Sequence, residues 1–264
     1  MFKEKWALIT GASTGIGLAF AKKLAAEGAN LVLVARRGAV LQQLATEIIQ
    51  HYGVKIEVIA LDLADLQAPQ QLYDQLQAKG LNISILVNNA GMGVCGEFYQ
   101  QDMQQNQQML LLNIHALVML TRLYLPALQA QQDGVIFNIA SIAAFQPLPY
   151  MASYAATKAF VLSFSEAVEA ECRPYNVRLV AVCPGATATS FFTAMGSDMT
   201  AMKKDSPEIV VYDAFYALKR GKTLVVCGHW SNWLLVQLNR FTPRWLVVRI
   251  TEKMMRDSFK TPHH

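Results

Sequence analysis

The chain has 264 residues, 53% of them hydrophobic and 16% charged, with a formal charge of +4. That length can bury a large core without disulfides or structural metal, and the balance excludes a disordered chain. Lys and Arg are scattered rather than gathered on one helix or stripe, which argues against a nucleic-acid reader.

Taken in order, the chain alternates short apolar runs with amphipathic stretches. Trp6 to Thr10 is a strand-length run that stops at a glycine-rich turn and continues into a helical stretch, Ile16 to Glu27. Asn30 to Ala35 is the second strand; Val40, Leu41, Leu44, Ile48 and Ile49 then recur on a helical period. Lys55 to Ala60 and Ser84 to Val87 repeat the strand signal around a stretch at Leu72 to Leu76. Gly134 to Asn138, Val177 to Cys183 and Thr223 to Val226 are the later strands, with long helices over roughly 102 to 129 and 152 to 172. Continuous apolar strands alternating with amphipathic helices predict an α/β fold. It is a three-layer α/β/α, doubly wound parallel sheet of the Rossmann kind, in one domain over residues 1–264.

The tail from 229 to 264 differs. Trp230, Trp233, Leu234, Leu235 and Leu238 form an apolar helical face, Pro243 interrupts, and Trp245 to Ile250 resumes. Polar residues and arginines break the run, so it is not a membrane span. Two readings stay open: packing on the core or on another subunit, and peripheral contact with a bilayer surface. Cys95, Cys172, Cys183 and Cys227 are far apart without a CxxC pair, so free thiols in a reducing compartment are expected and no metal site is assigned. MFKEKWALIT lacks a long apolar run and a cleavage site, so a cytoplasmic location is expected, with the inner membrane surface as the variant that the tail allows.

The strongest local feature is Thr10-Gly11-Ala12-Ser13-Thr14-Gly15-Ile16-Gly17, between the first strand and the first helix. Gly11 permits a tight exit from the strand, Gly15 lets the backbone approach a pyrophosphate, and Gly17 allows close helix–sheet contact. Free amides at the helix start would face the phosphates. The second strand ends at Ala35 without a carboxylate and is followed by Arg36 and Arg37, which favours a 2′-phosphate and hence NADP(H), with NAD(H) as the second cofactor. Asp62 can accept a bond from the adenine amino group; a local Asx cap is its plain alternative. Tyr154 and Lys158 are four residues apart on a predicted helix, so they share a face, and a nearby ammonium would lower the tyrosine pKa. Ser141 ends the strand VIFNIAS and can aim its hydroxyl at the same substrate oxygen.

In these motifs, in their order and in their spacing, the chain resembles the short-chain dehydrogenase/reductase superfamily, of the single-domain, non-extended, NADP(H)-preferring kind, over roughly residues 5 to 228. The resemblance implies roles residue by residue. Gly11, Ser13, Thr14, Gly15, Ile16 and Gly17 form the cofactor loop, and Asp62 and Leu63 contact adenine. Asn89, Ala90 and Gly91 lie near the adenosine half, and Pro184, Gly185, Thr187 and Thr189 surround the nicotinamide carboxamide. Asn113, Ser141, Tyr154 and Lys158 are the catalytic set, with Asn113 holding a water of the proton relay and Tyr154 and Lys158 also touching the cofactor.

The implied activity is hydride transfer between NADP(H) and a carbonyl or secondary alcohol carbon. The alternative is a silent NADP(H)-binding regulator or scaffold, against which the intact catalytic set argues. Candidate substrate-lining residues are Ser141, Cys95, Phe145, Met151, Phe191 and Met195, with Met92, Gly93, Val94, Ile142 and Phe192 beside them. Most are apolar, which suggests a ketone, aldehyde, acyl or steroid-like compound. Residues 190–206 read as a methionine-rich lid. A homodimer or homotetramer through the two long helices is the expected assembly.

Overall fold

Six apolar residues or fewer per strand, flanked by turns, suffice to build a sheet when both of its faces are covered. In the computed structural model, which describes residues 2–191, 195 and 204–259, these runs form β1 (Trp6–Thr10), β2 (Asn30–Ala35), β3 (Ile56–Ala60), β4 (Ile83–Asn88), β5 (Val135–Ile139), β6 (Arg178–Cys183) and β7 (Leu224–Val226). All neighbours pair in parallel, in the order β3-β2-β1-β4-β5-β6-β7. After β3 the chain crosses back to lay β4 on the free side of β1. The switch opens a crevice at the carboxyl ends of β1 and β4, where ligands of such sheets bind.

The helices are α1 (Gly15–Ala26), α2 (Gly38–Tyr52), α3 (Ala68–Ala78), α4 (Met103–Gln131), α5 (Ala152–Cys172), α6 (Pro207–Lys219), α7 (Trp230–Phe241) and α8 (Arg244–Phe259). One face of the sheet is covered by α1, α2 and α6 through Phe20, Leu24, Leu41, Leu44, Phe215 and Leu218. The other is covered by α3, α4 and α5 through Leu72, Leu76, Leu120, Tyr124, Leu128 and Cys172. Helix α4 is long and apolar enough to cross a membrane by length and composition. Its Leu120, Tyr124 and Leu128 are buried against the sheet and α3 instead.

Two features were not legible in the pattern. Leu111–Ala116 is a π-helical stretch inside α4, centred on Asn113. Such stretches collect at functional sites because they re-aim side chains within a continuous helix. A buried polar ladder also runs beneath the crevice. Asn88 Nδ2 donates to Thr121 Oγ1 (3.1 Å) and Asn138 Oδ1 (2.9 Å), and Asn138 Nδ2 donates to Ser165 Oγ (2.9 Å). In a low-dielectric core these bonds hold β4, β5, α4 and α5 in one register.

Candidate active site

The loop after β1 turns twice through positive φ, at Gly11 (65°) and Gly15 (57°), where side chains are strained. A Cβ at Gly17 would sit 2.3 Å from the Gly11 carbonyl oxygen, so only glycine lets α1 close this tightly on the loop. A Cβ at Gly15 would meet Thr189 Cγ2 at 2.7 Å, which puts the segment 184–189 directly over the loop. Thr14 caps α1 without a side-chain bond, leaving the first-turn amides of Gly15, Ile16 and Gly17 to an outside acceptor. This is a cradle of the size and polarity that a pyrophosphate needs.

Neighbouring strands fix the cradle. Thr10 Oγ1 accepts from the Asn89 and Ala90 amides at 3.0 and 2.9 Å, and Asn89 Nδ2 donates to the Thr10 and Gly11 carbonyls at 2.9 and 3.2 Å. The Asn89 side chain therefore braces the loop, and Thr10 joins the site residues. Arg37 Nη2 donates to Ser13 Oγ at 3.1 Å, while Arg36 Nη1 lies 4.0 Å from Asp62 Oδ2 with both side chains exposed. Two guanidiniums, rather than Arg36 alone, thus stand at the end of β2 beside the cradle. Asp62 Oδ1 accepts from the Ala64 amide at 3.0 Å, the Asx cap of the plain reading. Leu63 is buried beneath it.

At the other end, Tyr154 and Lys158 share one face of α5 and both are buried. Lys158 Nζ donates to the Ile139 carbonyl at 2.8 Å and lies 5.8 Å from the centre of the Tyr154 ring. Ser141 leaves β5 extended, accepts from the Ala143 amide at 3.1 Å and donates to the Pro184 carbonyl at 3.5 Å. Asn113 Oδ1 accepts from the Met92 amide (3.0 Å); its Nδ2 donates to the Met92 carbonyl (2.9 Å) and to Thr157 Oγ1 (3.0 Å), which in turn donates to the Tyr154 carbonyl (2.7 Å). The Asn113 carboxamide is therefore a clamp between the loop after β4 and α5. Thr157, which carried no sequence signal beyond its place in α5, completes it. A Cβ at Gly91 would lie 3.2 Å from Asn113 Oδ1 and 3.6 Å from Lys158 Nζ, so the chain passes close to both.

Burial sets the protonation of this pair. It pushes the Tyr154 phenol up to about 12, opposed by the Ser141 hydrogen bond, and brings the Lys158 ammonium down to about 8. At Tyr154 withdrawal from water outweighs the influence of Ser141.

Of the substrate-lining candidates, Cys95, Met151, Phe191 and Met195 gather with Met92 and Val94 around Tyr154. Phe191 packs on the Tyr154 ring at 5.4 Å, Cys95 Sγ contacts the Met195 carbonyl at 3.2 Å, and Gly93 lies under Met195 and Phe191. Phe145 departs from expectation. The 3-10 turn Ile142–Phe145 carries it away from the cluster of Tyr154, onto the one formed by Leu117, Ala140, Val161 and Leu162. There it lines a groove of about 470 Å³ with Pro147, Ala156, Ala159 and Arg244, on the other side of α5. Phe192 and most of the expected lid 190–206 lie outside the described residues.

The segment 184–189 is held from behind by residues without a sequence signal. Asp205 pairs with Thr187 as an isolated parallel bridge, and its amide donates to the Ala186 carbonyl at 2.8 Å. Asn232 of α7 donates to Asp205 Oδ2 (3.2 Å) and to the Cys227 carbonyl (2.9 Å), and fits against Gly185, where a Cβ would be 2.5 Å from its Nδ2.

The model of the short chain dehydrogenase family matches residues 5–200. The chain belongs to that family. Among curated proteins, the very-long-chain 3-oxoacyl-CoA reductase of Anas platyrhynchos is 38% identical over 190 residues, 70% of this chain and 60% of that protein. The chain thus aligns with three fifths of that relative's length. The 17-beta-hydroxysteroid dehydrogenase type 3 of Homo sapiens is 32% identical over 245 residues, 91% of this chain and 76% of that protein. Among solved structures, a short-chain dehydrogenase from Sphingobium yanoikuyae in complex with NADPH superposes with a TM-score of 0.81 at 29% identity, covering 98% of both chains.

Proposed function

We propose that this short-chain dehydrogenase transfers a hydride between NADP(H) and the carbonyl or secondary alcohol carbon of an apolar substrate. The observation that carries the reading is Tyr154: a buried phenol on whose pKa Ser141 opposes the effect of burial, one helical turn from Lys158 and against an apolar wall. The residues fit the cofactor. Glycine turns admit a pyrophosphate, first-turn amides of α1 face it, and Arg36 and Arg37 meet a 2′-phosphate with charge-assisted bonds. NAD(H) lacks that phosphate and is the weaker partner. When bound, NADP(H) supplies or takes up the hydride.

The chain's own residues orient and polarise. Ser141 donates to the carbonyl oxygen as charge grows there, and Tyr154, protonated at neutral pH, hands that oxygen its proton. Lys158, fixed by the Ile139 carbonyl, places positive charge below the phenol and holds the ribose hydroxyls. Asn113 acts as a positioning residue, clamping the loop at Met92 against α5 beside the proton path. Val94, Met151, Phe191 and Met195 exclude water from the reacting carbon. In oxidation the proton runs the other way. The long helices α4 and α5 leave Met103, Leu110 and Phe160 exposed, which suits a homodimer or homotetramer built on these helices.

A panel of apolar aldehydes and ketones with purified protein, followed by nicotinamide absorbance with NADPH and with NADH, tests the reading. Turnover should need NADPH, and Tyr154→Phe should lower kcat by roughly 10²–10⁴ while NADPH binding persists. Arg36→Asp should raise KM for NADPH and leave KM for NADH little changed. Equal use of both cofactors by the unaltered chain would remove the role given to the arginines; full activity in Tyr154→Phe would remove the mechanism.

A further inference from the structure

Helix α7 is amphipathic, and it is mounted the wrong way round for a core helix. At about 100° per residue, Asn232, Leu235, Val236 and Asn239 share one face, and this face meets the protein. Val236 is buried, Asn232 bonds Asp205, and Asn239 Nδ2 donates to Gln146 Oε1 at 2.6 Å. Trp230, Trp233, Leu234, Leu238 and Phe241 fall on the opposite face, and all are exposed, Trp230 at 67% and Phe241 at 85%. Folding that exposes the apolar stripe and turns the asparagines inward, half-buried, needs something apolar outside the chain to make sense of it.

Helix α8 extends the surface. It is seated by Val247, Thr251 and Met255, which are buried one turn apart, with Thr251 donating to the Pro147 carbonyl. Its outer side carries Trp245 and Arg249, stacked with the guanidinium 5.3 Å from the indole, then Lys253. Residues 229–264 contain six Lys and Arg against two Asp and Glu, a net +4; since the whole chain is also +4, residues 1–228 are balanced. The cations are scattered along the sequence, as composition suggested, but at this end they outnumber the acids three to one.

We propose that α7 and α8 dock this protein on the surface of an anionic lipid bilayer. Tryptophans, leucines and a phenylalanine enter the headgroup–acyl boundary, and Arg240, Arg244 and Arg249 meet the lipid phosphates. Helix α7, with 12 residues, is about 18 Å long and lies in the interface rather than across the membrane. A second copy is a poorer occupant. A two-fold contact sets a patch against itself, which here would oppose two surfaces of net positive charge. The proposal does not depend on the catalytic reading, and its test needs no substrate.

Three of the four tryptophans, all but Trp6 of β1, lie on these helices, so intrinsic fluorescence reports on them directly. The full chain is mixed with phosphatidylcholine vesicles, with or without phosphatidylglycerol, some carrying brominated acyl chains. It should sediment with the anionic vesicles at least about tenfold better than with the neutral ones, lose binding in high salt, and show bromine quenching. The combined variant Trp230→Ser, Trp233→Ser, Phe241→Ser changes only exposed positions. It should keep its circular dichroism and NADPH binding, and lose at least about tenfold in partitioning. Unaltered protein that ignores both vesicle types overturns the proposal, as does a variant that binds like its parent. A variant that instead converts a dimer to a monomer in sedimentation velocity, with neither protein binding vesicles, assigns the face to a second copy.

Discussion

Lys158 shows how a single side chain ties the chemistry to stability. Its amine is held inside the protein on the Ile139 carbonyl, with its pKa brought from 10.5 to about 8 by burial. The folded chain releases this proton before the unfolded chain does, so between pH 8 and 10.5 the unfolded state binds more protons and stability rises with pH. Tyr154 acts oppositely above pH 10, since the fold keeps the phenol proton up to about 12. Urea unfolding of the apoprotein from pH 7 to 10, compared with Lys158→Met, isolates the lysine. The stability difference should move in favour of the unaltered chain by on the order of 2–3 kcal/mol as pH rises. A difference that stays flat would mean that the amine is not desolvated. The residues of this end, Ser141, Tyr154 and Lys158, were legible in the sequence because i,i+4 spacing and a strand end fix which way side chains point. Phe145 was not, because a 3-10 turn four residues long rotates it to the far side of α5, and no periodicity signals that rotation.

The seven strands stand out in the sequence because a parallel sheet buried on both faces leaves uninterrupted apolar runs. Their order, β3-β2-β1-β4-β5-β6-β7, was not legible there, since composition holds no pairing information. The π stretch in α4 and the inverted mounting of α7 were equally silent. A helical period reports that a stripe exists, not which side of it faces the core. The most consequential unforeseen contact is Asn232, through which α7 braces Asp205 and the segment 184–189 over the glycine loop. Asn232→Leu keeps the branching and the number of heavy atoms and removes the bonds to Asp205 Oδ2 and the Cys227 carbonyl. NADPH titration should show Kd rising by about 5- to 30-fold, from the loss of a bond to a charged group, with circular dichroism unchanged. An unaltered Kd would mean that the segment holds its shape without α7.

Across the whole molecule, the topology switch between β1 and β4 sets two groups of residues at one edge of the sheet. The glycine cradle with Arg36 and Arg37 lies at one end, and Ser141, Tyr154 and Lys158 lie under an apolar wall at the other. Helices α7 and α8 close the back of this edge, since Met255 packs into the cluster that contains Tyr154, Val94 and Met151. The account's central claim is that a hydride crosses between these two ends, with Tyr154 moving the proton. The decisive experiment is a single turnover with NADPH carrying deuterium at both nicotinamide C4 positions and an apolar ketone from the panel, the product being read by mass spectrometry. The account predicts one deuterium on the carbinol carbon, and a rate lowered at least about 100-fold in Tyr154→Phe with the label still transferred in the residual product. A reduced product without deuterium, or a rate that is indifferent to the tyrosine, would contradict it.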